Sequence, residues 1–392
     1  MSIIFKNVFE NITSVKHRIF ALYASPYVNE FLGVLYPNKI TTILFKGGGR
    51  EKASYTSYNE SHVKKFYIPK ISKGKFGNPV LSTRADYFLY ALTAIAVLPY
   101  IFFYSRIIFI TPPFFDTMIV PILRLFGKKT YVVVMDSQIA LSKTYEQNLI
   151  RKLYYPFSRL IEIISVKLAT KVFVVSKFIE NDYKKFINPN KIFYVPNGAD
   201  VETISKIKPK RMFKEFTITY LGGFEMWRGL DMLIDAFREI KMQNKEVKLL
   251  LIGGGPDFEK IKEHAKGDED ILFTGYIDHD KALSYCKGSD VLVMPSRNVL
   301  ASRTISSIKC FEYIACEIPS IVTDSGEHAH WVKKFDAGLI VKSNVEGIRK
   351  GILKLMRDKN LYNKIKANCK KNKWEVDYKK FKQVFVNEVL KD

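Results

Sequence analysis

Short runs of β-branched and aromatic residues recur along this chain, each followed by a longer stretch with apolar positions three and four apart. In the first half the clearest are KITTILF from Lys39, RIIFI from Arg106, TYVVVM from Thr130 and KVFVV from Lys171. The second half continues with FTITYL, VKLLLI, ILFTG, DVLVMPS, PSIVT and AGLIV. Near-continuous apolar strands alternating with helices predict parallel sheets covered by helices on both faces. The stretch YVPNGADVETISKIKPKRMFKEF, from Tyr194, breaks the rhythm with Pro, Asn-Gly and a basic, core-poor run. It predicts a linker near residue 205. The expectation is an α/β chain of two doubly wound, Rossmann-like domains facing across a cleft. Residues 1–205 would form the first domain, 206–372 the second, and 373–392 a terminal helix packing back on the first.

Doubly wound sheets take ligands beyond the carboxyl ends of their strands. In the second domain those positions hold glycines and charges. FTITYL runs into Gly222-Gly223 and then a helix from about Gly229, with Arg228 at its entrance. VKLLLI runs into Gly253-Gly254-Gly255, without the Gly-Lys-Ser/Thr of a P-loop or the GxGxxG of a dinucleotide fold. DVLVMPS is followed by RNVLASRTI, read as a loop, and then by SSIKCFEYIAC, a helix beginning near Ser307. Lys309 in its first turn opposes the helix dipole unless an anion is held there. Glu312, one turn on, is placed to accept hydrogen bonds from a polyol. The alternative is an ordinary i,i+3 ion pair on a solvated face, but Ile308, Phe311, Tyr313 and Ile314 leave little such face.

Charge sharpens this reading. The 392 residues include 62 Lys and Arg against 39 Asp and Glu, a net charge of +23. Residues 1–205 alone hold 27 basic and 13 acidic side chains. Such an excess points to an anionic partner, whether nucleic acid, an anionic membrane or phosphorylated substrates. With 47% hydrophobic and 26% charged residues, disorder is excluded. The four cysteines form no CxxC pair, so neither a structural zinc site nor a disulfide framework is expected, and a reduced cytosolic compartment fits. The opening MSIIFKNVFENITS lacks the plan of a secretory signal.

The block IKCFEYIACEIPSIVTDSG resembles the Lys-x-x-Glu-Tyr-x-Ala-Cys-x-x-Pro-x-Ile-x-Thr-x-x-Gly signature of family 4 of the retaining glycosyltransferases, which share the GT-B fold. VVSKFIENDY with VPNGAD, GGFEMWRGLDMLIDAF, LLIGGGP, ILFTGYIDHDKALSYCKGSDVLVMPS and AGLIV are similar to that family's other blocks, in its order. The resemblance covers roughly residues 170 to 357. It implies a transferase moving a sugar from a UDP- or GDP-linked donor, without a metal or other cofactor. It also implies that Glu312 binds the ribose, that Ser306, Ser307 and Lys309 hold the diphosphate, and that Arg228 helps to neutralise the leaving group. By the same resemblance Gly222 and Gly223 border the donor, and Thr274, Gly275 and Tyr276 lie near its base. In the first domain, Asp136 stands where many relatives show His-Asp and would be the third catalytic residue, with Arg228 and Lys309. Two positions depart from the pattern: a second glutamate eight residues before Glu312 is here Thr304, and an arginine after the first glycine is here Gly223.

Other local patterns compete. Asp278-His279-Asp280 matches the manganese-binding Asp-x-Asp of unrelated transferases, but directly before KALSYC it reads as a helix cap. His328 and His330 read as a solvated helix face. Gly47 to Arg50 fits either a phosphate loop or a flexible turn. A nucleotide-sugar epimerase on the same fold is the nearer alternative activity, and a basic nucleic-acid-binding protein the more remote one. Tyr87 to Ser105 is uncharged and long enough to raise the question of a membrane span, although Pro99 interrupts it. In the more basic domain it reads better as an interfacial helix. The expected location is thus peripheral, on the cytosolic face of an anionic membrane, with a lipid-linked acceptor.

Overall fold

The computed structural model describes residues 18–23, 41–47, 55–58, 61–68, 106–110, 115–135 and 149–391. The described strands form two sheets. The first contains β1 (Arg18–Tyr23), β2 (Thr41–Gly47), β3 (Tyr55–Tyr58), β4 (Ser61–Ile68), β5 (Arg106–Ile110), β6 (Lys129–Val134), β7 (Lys171–Val174) and β8 (Ile192–Tyr194). Their order is β3-β4-β2-β1-β5-β6-β7-β8, parallel throughout except for β3 against β4. The second contains β9 (Phe216–Gly223), β10 (Val247–Gly254), β11 (Ile271–Gly275), β12 (Val291–Met294), β13 (Ser320–Thr323) and β14 (Gly338–Val341). It is wholly parallel, ordered β11-β10-β9-β12-β13-β14.

The apolar runs explain the arrangement. Val132, Val134, Val172 and Val174 are sealed in the core of the first sheet, as Ile218, Leu249, Leu251, Val291, Val293 and Ile321 are in the second. Strands buried on both faces cannot alternate polar and apolar, which is why these runs read as continuous. Chain order reverses between β9 and β12. From β9 the helix Leu230–Gln243 leads to β10 on one side, while β12 leads to β13 on the other. The loops leaving those two strands therefore diverge and leave a crevice at their carboxyl ends.

Ala199, Val201 and Ile204 already join the second core. The helix Tyr378–Lys391 returns to the first sheet. Its Phe385 ring meets Phe173 edge-on with centroids 4.8 Å apart, Lys171 Nζ donates to Glu388 O at 2.7 Å, and buried Lys382 Nζ donates to Pro196 O at 3.3 Å. The four cysteines are buried and unbridged.

Candidate functional site

The loop after β9 is shaped by glycine. A short 3-10 turn, Met226–Arg228, precedes the helix, and Gly229 then adopts a left-handed conformation with φ 70°. A Cβ at Gly229 would lie 2.1 Å from Pro295 O at the end of β12. A side chain here would need both the disfavoured conformation and space held by backbone, so glycine lets the two diverging loops touch. The Arg228 guanidinium lies over the Trp227 ring at 4.2 Å, and its Nε pairs with Glu225. Tyr220, below it, donates from its hydroxyl to Gly223 O at 2.7 Å.

The helix Ile308–Ala315 faces this loop from the β12 side, with Ser307 at its N-cap. Buried Cys310, Phe311, Tyr313 and Ile314 fix it. The Tyr313 hydroxyl accepts from Leu221 N at 3.0 Å, tying the helix to β9 itself. Lys309 projects from the first turn onto the glycines: a Cβ at Gly222 would stand 2.7 Å from Lys309 Cε. Among the described residues the Lys309 ammonium makes no hydrogen bond or salt bridge. Burial lowers its proton affinity, and the neighbouring Arg228 cation lowers it further. Two cations thus converge on backbone amides and a helix N-terminus, an arrangement that favours an anion.

Glu312 is buried and does not pair with Lys309. Its Oε1 stands 2.9 Å from Nε2 of His279, the first residue of the helix His279–Lys287. That contact, foremost, raises the imidazole's proton affinity. Thr274 and Gly275 end β11 one strand beyond β10, and Tyr276 follows, largely exposed with its ring over Gly254, where a Cβ would meet Tyr276 Cε2 at 2.8 Å. An exposed aromatic ring across a glycine from the cation pair can stack on a flat ligand.

The second sheet thus brings together Gly222, Gly223, Arg228, Thr274, Gly275, Tyr276, Ser307, Lys309 and Glu312 along one edge. Ser306, buried just before the helix, also serves as a joint: Asn197 Nδ2 donates to Ser306 O at 2.6 Å. Asp136, Arg50 and the segment Tyr87 to Ser105 lie outside the described residues. Asp278 is a helix cap, its carboxylate accepting from the backbone of Asp280 at 3.0 Å and Lys281 at 3.2 Å.

Two expectations need correction. The stretch after β12 is not wholly loop, because Leu300–Thr304 forms a short helix in which Ala301 and Thr304 are buried. His328 is not on a solvated face but sealed in the core, where burial holds its pKa down to about 4. It shares a helical stripe with Trp331, Val332 and Phe335, a spacing that announces burial. His279 was passed over because its motif was read as a cap, and its partner lies on another helix.

Residues 201–372 match the family described as glycosyl transferases group 1. An uncharacterized glycosyltransferase of Methanocaldococcus jannaschii is 26% identical over 251 residues, covering 60% of this chain and 62% of the relative. A GDP-mannose-dependent alpha-(1-6)-phosphatidylinositol monomannoside mannosyltransferase of Mycobacterium tuberculosis is 25% identical over 181 residues, 43% of this chain and 47% of the relative. The chain therefore spans about half to three-fifths of the length of these two relatives. Sucrose-phosphate synthase of Thermosynechococcus elongatus superposes with a TM-score of 0.75 at 16% identity, over 96% of this chain and 99% of its own. The fold is GT-B.

Proposed function

We propose that the chain transfers a sugar, with retention of configuration, from a UDP- or GDP-linked donor to a lipid-linked glycan or lipid acceptor at a membrane surface. One observation carries this reading: Lys309, without an ion-pair partner among the described residues, leans on Gly222 beside Arg228, one helical turn before the buried carboxylate of Glu312. A nucleoside diphosphate matches those features in order. Its phosphates take the cations and the helix amides, its ribose hydroxyls donate to Glu312, and its base stacks near Tyr276.

In the reaction the diphosphate leaves the anomeric carbon as an anion while the sugar becomes oxocarbenium-like, and the acceptor oxygen bonds to that carbon on the same face, its proton passing to the departing diphosphate. Charge develops on the leaving oxygen, where Lys309, Arg228 and the amides of Ser307 and Lys309 are already oriented. Preorganised donors of this kind cost no rearrangement at the moment of reaction, and removing one typically slows catalysis by about 100-fold to 1,000-fold. Asp136, two residues after β6 in the sequence, is assigned the acceptor in this reading. The second domain holds the donor. Support for a lipid acceptor comes from the printed name of the mycobacterial relative and from the basic excess of residues 1–205.

The test is to incubate the protein with UDP- and GDP-sugars, with and without a polyprenyl phosphate or phosphoinositide acceptor. Transfer to lipid supports the reading. A changed sugar without transfer means an epimerase, and no turnover of any donor sinks the proposal.

A further inference from the structure

The segment joining β12 to the helix Ile308–Ala315 carries cations and no acid. From Pro295 to Lys309 its charged residues are Arg297, Arg303 and Lys309. Arg297 is structural: its Nη2 pairs with Asp231 and its Nε donates to Met226 O at 3.2 Å, tying the segment to the loop after β9. Arg303 is held differently. It lies on the short helix Leu300–Thr304, which packs against the turn Met226–Arg228 and against the helix Lys177–Tyr183 of the first domain. The residue is exposed, and its Nε donates to Asn298 Oδ1 at 2.8 Å. Among the described residues, no carboxylate pairs with Arg303 and its two Nη groups have no partner.

The backbone beneath Arg303 is tightly fixed. Ser302 Oγ donates to Val299 O at 2.9 Å and Thr304 Oγ1 to Ala301 O at 3.1 Å, so both hydroxyls are turned back onto the chain. A Cβ at Gly326, where φ is 78°, would lie 2.0 Å from Ser302 O, so glycine lets the loop after β13 close on this helix. Between Pro295 and Lys309 only Asn298 and Arg303 are exposed. A guanidinium whose Nε is already engaged presents its Nη groups as a planar fork, which matches the two oxygens of an anion and not a single hydroxyl.

We propose that the sugar on the donor is a sugar acid of the uronate type, its carboxylate held by the Arg303 fork, an inference that rests on the reading of a nucleotide-sugar donor. Such a donor runs from base to ribose to diphosphate to sugar. With the first three at Tyr276, Glu312 and Lys309, the sugar passes the N-terminus of the helix Ile308–Ala315 and meets the segment before it. A neutral hexose presents hydroxyls that need acceptors as well as donors, and this segment has no carboxylate to accept from them. The diphosphate is met by Lys309 and Arg228, which leaves the sugar's own carboxylate as the anion for Arg303.

Calorimetry on the full chain tests this with three pairs of ligands: UDP-glucuronate against UDP-glucose, UDP-galacturonate against UDP-galactose, and GDP-mannuronate against GDP-mannose. Free UDP and GDP serve as references. In at least one pair the sugar acid should bind about tenfold to a hundredfold more tightly than its neutral counterpart. Arg303→Gln should abolish that preference, and Arg303→Lys, which keeps the charge without the fork, should retain only part of it. Thermal unfolding and the affinity for free UDP and GDP should be the same in both variants as in the wild type. A wild type that binds UDP or GDP but favours no sugar acid overturns the proposal and leaves the donor reading standing. A preference that survives in Arg303→Gln overturns it too. So does an Arg303→Gln variant that raises KM only for an acceptor bearing phosphate, since the fork then serves the acceptor. A wild type with no affinity for UDP, GDP or any of the six nucleotide sugars would sink the donor reading and this proposal together.

Discussion

Glu312 Oε1 lies 2.9 Å from His279 Nε2, on a different helix, although Lys309 is only three residues away in its own. The two opposite charges of this helix are thus separated by task, the cation aimed at the β9 glycines and the carboxylate at the helix after β11. If they hold a diphosphate and a ribose, Lys309→Ala and Glu312→Ala should each weaken UDP or GDP binding with the fold intact. Loss of one charge-assisted hydrogen bond corresponds to roughly 1.5–3 kcal/mol, about tenfold to a hundredfold in affinity. Calorimetry giving wild-type affinity for both variants would reduce the pair to a structural feature.

The same contact makes binding depend on pH. The proton affinity of His279 is raised above its ordinary 6.5, chiefly by Glu312 and in part by Asp280, against the opposing effects of desolvation and Lys309. Its pair with Glu312 is therefore fully formed below pH 6.5 and fades as pH rises through the elevated value. If Glu312 takes the ribose, a protonated His279 competes with it, and UDP or GDP affinity should increase by about threefold to tenfold on going from mildly acidic to mildly alkaline pH. The His279→Gln variant, which keeps a hydrogen-bonding side chain but does not titrate, should show a flatter profile. An identical profile in both proteins would remove His279 from the site.

The two glycines of the β9 loop should fail in different ways. Gly229→Ala forces a side chain into a left-handed conformation and onto Pro295 O, and should lower folding stability by about 1–3 kcal/mol in denaturant titration. Gly222→Ala meets the flexible end of Lys309 and the Tyr220 hydroxyl. With its φ of 159° and buried Tyr220 in the way, the substitution should both displace the ammonium, lowering nucleotide affinity, and cost stability. Unchanged nucleotide affinity in Gly222→Ala would show that Lys309 is not held against Gly222 for binding.

If the leaving diphosphate is met by side chains and amides, EDTA should leave transfer intact. Complete loss with EDTA, restored by manganese, would return Asp278 and Asp280 to the site. Asp136→Asn, in contrast, should abolish transfer while UDP or GDP affinity stays unchanged. Nucleotide binding lost in that variant would argue against a role confined to the acceptor.

The linear sequence determined the repeating strand–helix order and the loops in which the candidate donor residues sit. Parallel strands buried on both faces must be continuous apolar runs, and glycines with an isolated Lys–Glu pair stand out against them. The helix cap at Asp278 was equally legible, because a cap is made within a few residues. Tertiary structure decided which charges meet. Glu312 meets His279 rather than Lys309 because the helix, fixed by buried Phe311 and Tyr313, faces the helix that begins at His279. The burial of His328 was settled in the same way, by neighbours distant in the chain. Local periodicity fixes which face of a helix is apolar, but only the packed fold decides what that face meets, since contact energies depend on positions the sequence leaves tens of residues apart.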